Sequence, residues 1–286
     1  MTFLKVIFNN NELKFENLNS GFQTRHISLS KMIEIAYSSI KDKLLSKTKI
    51  IFIYSDDFAN PIHFNEFKKN NPDVDFSNVF ICSGTIDDFN NNKLLPDFGS
   101  HSWPEAKILD FQSLKLENQE LGKLPPKYNK IFWIGSIETH YTRYKLLQIA
   151  LSRKDIFECI PMNWNGPDNN PTPNRFITLP EHTQYKYLID IQGRGYSGRL
   201  KYLATMNRII FVQERKYWDI LSIQMKPWIH YIPIKEDLSD LIEKYEWAES
   251  HTKECEIILQ NLKKYVDEKL NSNYINKYFE DIMLKI

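Results

Sequence analysis

The stretch Tyr187-Leu-Ile-Asp-Ile-Gln-Gly193-Arg-Gly195-Tyr-Ser197-Gly198-Arg199-Leu-Lys201 decides the fold class of this chain. The apolar run Tyr187–Ile191 predicts a buried strand, a turn with three glycines follows, and Gly198–Met206 has helical spacing. A strand that leads through such a turn into a helix is the building unit of an α/β protein. The unpaired amides of the helix start, together with the cations of Arg199 and Lys201, favour the binding of a diphosphate. An ordinary connection with a solvated basic face explains the same residues, so both interpretations stay open.

The same alternation of apolar runs and amphipathic segments extends along the chain and predicts an α/β fold. Strands are predicted at Lys49–Tyr54, Asn78–Cys82, Lys130–Ile134, Tyr187–Ile191, Arg208–Val212 and Ile229–Pro233. Helices are predicted at Ser30–Leu45, Tyr141–Leu151, Gly198–Met206, Leu238–Glu249 with Asp237 or Ser239 as its cap, and through most of Thr252–Ile286.

The chain of 286 residues is long enough for one large domain or two modest ones. Pro125 and Pro126 can continue neither a helix nor a central strand, and a new strand follows them. We therefore predict an N-terminal domain of residues 1–124 and a C-terminal domain of residues 125–286. Asn90–Asn92 and Asn163–Asn174 are predicted surface loops, and the longer loop is a candidate flap near a site.

Charge and cysteine usage exclude several classes of protein. The 37 basic and 36 acidic side chains give a formal net charge of +1, so no overall field holds a nucleic acid. The three cysteines, Cys82, Cys159 and Cys255, fit neither a disulfide framework nor the spacing of a zinc site, which favours a reducing compartment. No segment approaches the roughly 20 apolar residues of a membrane span.

A second run, Lys226–Leu241, is rich in polar and aromatic residues that a simple core strand would not need. Read together with the glycine-rich turn, it resembles the protein O-glucosyltransferase and capsule-associated xylosyltransferase family, glycosyltransferase family 90. The blocks Phe132–Arg143, Ile51–Phe58 and Pro96–Glu105 extend the resemblance, so that with gaps it covers roughly Ile50 to Gln260. Ile134 stands where the family commonly has arginine, which removes one expected cation from the donor site.

The resemblance implies a GT-B fold, in which two Rossmann-like domains face each other across a cleft. The C-terminal domain would hold the donor and the N-terminal domain would offer the catalytic base, with the last helix a candidate to cross back onto the first domain. Donor-binding residues are implied at Gly135, Ser136, Thr139, Arg143, Gly193, Gly195, Tyr196, Ser197, Gly198, Arg199 and Lys201.

The resemblance also implies an inverting transfer with a carboxylate as general base. Asp57 aligns best with the catalytic aspartate of the family because an aromatic residue follows it, and Asp56 is the rival. Asp56 and Trp103 are candidate residues on the acceptor side. Without the resemblance, an aspartate pair after a strand is more often a turn or a helix cap.

No cofactor and no metal are expected, because the cationic cradle would replace the divalent ion that other glycosyltransferases hold with an Asp-x-Asp motif. Asp73-Val-Asp75 has that spacing but follows a proline turn, where a solvated turn is the favoured interpretation. A metal-dependent transferase with Asp73 and Asp75 as ligands is the alternative mechanism.

The implied donor is UDP-xylose or UDP-glucose, and the implied acceptor is a hydroxyl of a polysaccharide, a lipopolysaccharide or a viral or cell-surface glycan. Family members that modify extracellular modules carry signals and disulfides that this sequence lacks, so we expect a cytoplasmic enzyme encoded by a microbe or a virus. The alternative function is a non-catalytic module that binds a sugar nucleotide or a glycan.

Overall fold

The computed structural model describes residues 3–18, 23–162 and 177–286. The chain divides into two compact units, the first made of Met1–Gln112, Lys216–Ile223 and Lys269–Ile286, and the second of Ser113–Arg215 and Gln224–Glu268. The boundary placed between residues 124 and 125 stays a prediction, and the predicted loop Asn163–Asn174 lies outside the described residues.

The strands of the described residues, in chain order, are β1 (Phe3–Phe8), β2 (Leu13–Leu18), β3 (Lys49–Tyr54), β4 (Val79–Ile81), β5 (Tyr128–Ser136), β6 (Phe157–Met162), β7 (Tyr185–Asp190), β8 (Ile209–Gln213) and β9 (Ile232–Ile234). The α-helices are α1 (Gln23–Ile40), α2 (Pro61–Asn70), α3 (Ile86–Asn90), α4 (Phe111–Leu121), α5 (Tyr141–Ser152), α6 (Leu200–Leu203), α7 (Leu241–Ser250), α8 (Thr252–Lys269) and α9 (Ser272–Lys285). None of the helices in these ranges is long and apolar enough to cross a bilayer.

The first unit contains a mixed sheet with the strand order β2-β1-β3-β4 in the described residues. Strand β1 is antiparallel to β2 and to β3, and only the pair β3 and β4 is parallel. The side chain of Asn9 accepts hydrogen bonds from the amides of Asn11 and Glu12, which closes a tight hairpin between β1 and β2. The sheet of this unit is therefore mixed, whereas the sheet of a Rossmann-like domain is mostly parallel.

Helix α1 buries one face through Leu29, Met32, Ile33 and Ala36, whose spacing places them on a single stripe. Helix α9 packs against α1. Compared with the predicted helix Ser30–Leu45, α1 begins earlier, and it ends at Ile40, where a short 3-10 helix follows.

The second unit contains a wholly parallel sheet with the order β6-β5-β7-β8-β9 in the described residues. The inner strands β5, β7 and β8 are buried on both faces over most of their length, which explains why they are near-continuous apolar runs. One face carries Trp133, Tyr187 and Phe211, and residues of α5, α7 and α8 complete this core. The strand order reverses between β5 and β7, and ligands of such sheets bind beyond the carboxyl ends of the strands at that point.

Several predicted elements end at other residues than expected. Strand β3 and the start of α5 agree with prediction, and the helical stretch after Thr252 is confirmed as α8 and α9. Strand β9 starts only at Ile232, because Lys226–His230 forms a turn in which Trp228 has a φ of 62°. Helix α7 begins at Leu241, and neither predicted residue caps it.

Candidate functional site

The carboxyl ends of β5 and β7, at the reversal of the strand order, are where the predicted donor-binding residues gather. Strand β5 ends in Gly135 and Ser136, and β7 ends in Asp190, directly before the glycine-rich turn. The hydroxyl of Ser136 accepts from the amide of Glu138, and the hydroxyl of Thr139 donates to the carbonyl of Ser136. Both side chains therefore shape the turn after β5.

The guanidinium of Arg143, on the first turn of α5, joins the two strand ends. Its Nε donates to the carbonyl of Gln192 at 2.7 Å, and its Nη2 donates to that of Ile191 at 3.2 Å. Its Nη1 donates to the carbonyl of Ser136 at 3.1 Å. In this arrangement Arg143 fixes the backbone on both sides of the reversal point, in addition to its predicted contact with the donor.

Two of the predicted glycines are explained by space and not by backbone angle. None of the described glycines has a positive φ. A Cβ on Gly193 would lie 3.4 Å from Nη2 of Arg143, and a Cβ on Gly135 would lie 2.9 Å from the ring of Trp133. Gly193 thus lets the turn approach the guanidinium, and Gly135 makes room for the buried indole.

Asp190 is the central residue of this site, and the sequence analysis did not predict it. Its carboxylate is fully buried at the end of β7. Oδ1 accepts a hydrogen bond of 2.6 Å from the hydroxyl of Ser197 and lies 3.9 Å from Nε of Arg199. Oδ2 accepts from Nη2 of Arg215, whose side chain is 1% exposed. An aspartate inside the apolar run Tyr187–Ile191 was the available signal.

Arg199 combines burial with a hydrogen-bond donor that no described residue uses. Its Nη1 donates to the carbonyl of Ile134, while its Nε is buried and has no hydrogen-bond partner in the part of the chain that the structure describes. Burial lowers the pKa of Arg199, an effect opposed by the charge of Asp190 and reinforced by that of Arg215. Position 134 lacks the arginine that the family commonly has. The backbone carbonyl of Ile134 nevertheless accepts a hydrogen bond from Arg199, a cation of another segment.

The remaining predicted donor residues lie in the same turn, except for Lys201, which lies in α6. Gly195 and Tyr196 are buried and Gly198 is half-buried. The ammonium of Lys201 donates to the carbonyl of Gly198 at 2.9 Å. Helix α6 has only four residues and continues as a 3-10 helix over Ala204–Met206, so cationic side chains, more than a helix dipole, define the charge here.

In the first unit, Asp56 and Asp57 follow the carboxyl end of β3, and Arg25 of α1 contacts both. Nη2 of Arg25 lies 3.2 Å from Oδ1 of Asp57, and Nη1 lies 3.9 Å from Oδ1 of Asp56. Nη1 also donates to the carbonyl of Ser55. The Asp57 side chain is 41% exposed, against 26% for Asp56. The structure thus adds a cation that sequence reasoning had not connected with the pair.

Asp56 belongs to a second group of polar side chains. The Tyr54 hydroxyl donates to Oδ2 of Asp56 at 3.3 Å and lies 2.6 Å from Nδ1 of His63. His63 lies 3.7 Å from Asp56. Burial, and then the charge of Asp56, raises the pKa of Tyr54, so this hydroxyl stays protonated. Asp56 is therefore the more restrained of the two carboxylates.

The predicted acceptor-side residue Trp103 is connected to this pair through Phe98. The guanidinium carbon of Arg25 lies 4.6 Å from the centre of the Phe98 ring, which meets Trp103 edge to face at 5.6 Å. By contrast, Asp75 caps a 3-10 helix by accepting from the amide of Ser77, and Asp73 is exposed beside it. In the described ranges, no group of three or more acidic, histidine or cysteine residues could hold a metal ion.

Two of the site arginines, Arg25 and Arg199, each have a buried histidine as a neighbour. Burial, and then the charge of Arg25, lowers the pKa of His26 to about 4. Burial, and then the charge of Arg199, lowers the pKa of His182 to about 3. Both histidines are therefore neutral at pH 7.

Comparison with known proteins relates the chain to sugar transferases. The sequence profile of glycosyl transferase family 90 matches residues 20–285. An uncharacterised protein, 179R, of Invertebrate iridescent virus 6 is 30% identical over 169 residues, 57% of this chain and 14% of that protein. Protein O-glucosyltransferase 2 of Danio rerio is 26% identical over 163 residues, 56% of this chain and 32% of that protein. The chain thus spans less than a third of either relative.

Among solved structures, a glycosyltransferase from Rickettsia africae ESF-5 is similar with a TM-score of 0.41 and 11% sequence identity, over 93% of this chain and 84% of that chain.

Proposed function

The chain belongs to glycosyl transferase family 90, and we propose that it transfers glucose or xylose from a UDP-sugar to a hydroxyl group of a glycan, with inversion at the anomeric carbon. The GT-B arrangement, the absence of a metal requirement and the choice of these two sugars are parts of the proposal. A glycan of a microbial or viral surface is the proposed acceptor, in keeping with the match to an iridescent virus protein.

The observation that carries the proposal is the cluster of Arg199 and Arg215 on Asp190 at the reversal point of the parallel sheet. Guanidinium groups suit diphosphates because their planar N–H groups match phosphate oxygens in pairs. Among the described residues, the buried Nε of Arg199 has no hydrogen-bond partner, and the side chain is 17% exposed, so a phosphate oxygen would pair with this guanidinium. Such a cradle stabilises the negative charge that the leaving diphosphate gains in the transition state.

The proposed base is Asp57. It is the more exposed carboxylate of the pair, and Arg25 holds one of its oxygens. Asp56, in contrast, lies within reach of Tyr54, His63 and Arg25, which suits a supporting role.

In the proposed step, the acceptor oxygen attacks the anomeric carbon as the bond from that carbon to the UDP oxygen breaks. The proton of the acceptor hydroxyl passes to the carboxylate of Asp57. The electron pair of the broken bond stays on the diphosphate, next to Arg199. One new glycosidic bond, UDP and a protonated Asp57 result, and the proton then leaves to solvent.

A panel of nucleotide sugars tests this proposal. A ligand that binds only the folded state raises the melting temperature with its concentration, so UDP, UDP-glucose or UDP-xylose is expected to stabilise the protein more than the corresponding ADP and GDP compounds. Release of UDP in the presence of a glycan acceptor measures turnover. If no uridine nucleotide shifts the melting temperature, the donor assignment is wrong.

The second candidate is a sugar-nucleotide binding module without turnover, which the departure at Ile134 favours. This module would show a thermal shift with UDP-sugars but no UDP release with any acceptor. An Asp57→Asn variant would then behave like the wild type in both assays. Activity that disappears in excess chelator would instead point to the metal-dependent alternative.

A further inference from the structure

We infer that Asp190 is a positioning residue of the donor site, which sets the guanidiniums of Arg199 and Arg215 and the Ser197 turn in the geometry that receives a diphosphate. This inference rests on the proposed function. It assigns to Asp190 an action through other residues and no contact with the donor.

The contacts of Asp190 join three separate segments of the second unit. The carboxylate stands at the end of β7, Ser197 and Arg199 belong to the turn that follows, and Arg215 comes two residues after β8. One buried group therefore fixes the relative positions of two cations and one loop.

A carboxylate next to an anion site is an electrostatic disadvantage. A negative charge at this position repels a diphosphate, and burying it costs solvation free energy. The compensating effect is geometric, because two guanidiniums without a shared anion repel each other, and long arginine side chains lose rotamer entropy when they are ordered by the ligand alone. Asp190 orders the side chains of Arg199 and Arg215 before the donor binds.

The two physical effects predict opposite results for Asp190→Asn. The substitution is isosteric and makes the site more positive by one charge. If charge alone governed binding, UDP would bind the variant more tightly. If Asp190 acts by positioning, UDP binds more weakly although the site has become more positive.

The experiment is titration calorimetry of UDP with wild type, Asp190→Asn and Ser197→Ala, together with steady-state kinetics. For Asp190→Asn we expect affinity to fall by about tenfold or more, as for loss of a hydrogen bond to a charged group. KM for the donor should rise and kcat should fall, because the leaving group is misaligned as well as weakly held. Ser197→Ala keeps the charges and removes one hydrogen bond, so a loss of about two- to fivefold is expected.

Asp240→Asn is the matched control, since Asp240 is a buried carboxylate of the same unit that accepts from the amide of Lys235 and lies 3.8 Å from the ammonium of Lys244. It should lower the melting temperature without changing UDP affinity. Equal losses of affinity in Asp190→Asn and Asp240→Asn would reveal general destabilisation and overturn the inference. If the Asp190→Asn variant does not fold, the Ser197→Ala variant tests the inference instead. An unchanged UDP affinity in Ser197→Ala would overturn the inference.

Failure of the inference and failure of the proposed function look different. If wild type does not bind UDP, the proposed function is wrong and the inference falls with it. If wild type binds UDP and Asp190→Asn binds it equally or more tightly, the inference alone is wrong.

Discussion

The two candidate regions have opposite charge arrangements. In the first unit one guanidinium, that of Arg25, lies between two carboxylates, Asp56 and Asp57. In the second unit one carboxylate, that of Asp190, contacts two guanidiniums, Arg199 and Arg215. Each region thus orders two like charges around a single opposite charge.

This difference suits the two regions to the different roles proposed for them. A carboxylate held on one side by arginine and 41% exposed is suited to accept a proton from a hydroxyl group. Guanidiniums ordered around a buried carboxylate are suited to hold an anion. A transfer reaction needs both, and the sequence distributes them over segments far apart in the chain.

The largest expected effect is on the proposed base, Asp57. Asp57→Asn should lower kcat by about 10²–10⁴-fold, the contribution typical of general base catalysis, while UDP affinity stays near that of wild type. Asp56→Asn should cause a clearly smaller loss. The assay is UDP release with a glycan acceptor, and a larger loss for Asp56→Asn than for Asp57→Asn would reverse the assignment.

The next effect is on the anion site. Arg199→Ala should weaken UDP binding by about 10- to 100-fold, because it removes a charge-assisted contact to phosphate. Arg153→Ala is a control, since Arg153 is an arginine of the same unit that pairs with Asp155 in front of β6. Calorimetry measures both, and equal affinity for the two variants would contradict a specific role for Arg199.

A smaller effect is expected at Arg25. Arg25→Gln removes the cation that orients Asp57, so kcat should fall about tenfold with little change in donor KM. Lys31→Gln, on the same helix but in an exposed pair with Glu34, should keep wild-type kinetics. A rise in donor KM without a fall in kcat would show that Arg25 acts on donor binding and does not orient Asp57.

The smallest effect is on stability at low pH. His26 and His182 have folded-state pKa values of about 4 and about 3, below the ordinary 6.5. The unfolded state therefore binds more protons as the pH falls below about 6.5, and each histidine costs up to about 1.4 kcal/mol of stability per pH unit until its folded pKa is reached.

Urea unfolding at pH 7 and pH 5 measures this loss. Replacing His26 or His182 by glutamine should reduce the difference between the two pH values. His251→Gln is the control at a position that is not buried. An unchanged difference in both buried-site variants would show that these histidines do not determine the acid sensitivity.

The sequence predicted the second unit better than the first. Strands β7 and β8 lie inside a parallel sheet, so both faces are buried and their apolar runs are continuous. Strand β6 is an edge strand with Pro161 near its end, and its mixed composition hid it. In the hairpin of β1 and β2, β1 is a short apolar run interrupted by Lys5, and β2 has polar residues at its exposed positions, so neither strand was predicted.

The site residues that the sequence did not reveal are those whose partners are distant along the chain. Arg25 precedes Asp57 by 32 positions, and Arg215 follows Asp190 by 25. No local spacing connects them, and only the fold brings them together. The glycines of the turn were found from the pattern, but the reason for Gly193, its approach to Arg143, required the structure.

The packing of α9 against α1 has a consequence for biosynthesis. Both helices belong to the first unit, yet nearly the whole chain separates them. At roughly 5–20 residues per second, the ribosome needs about 10–50 s to reach α9 after it has made α1. During this time the apolar stripe of α1 stays without this partner, which makes the nascent chain a substrate for chaperones.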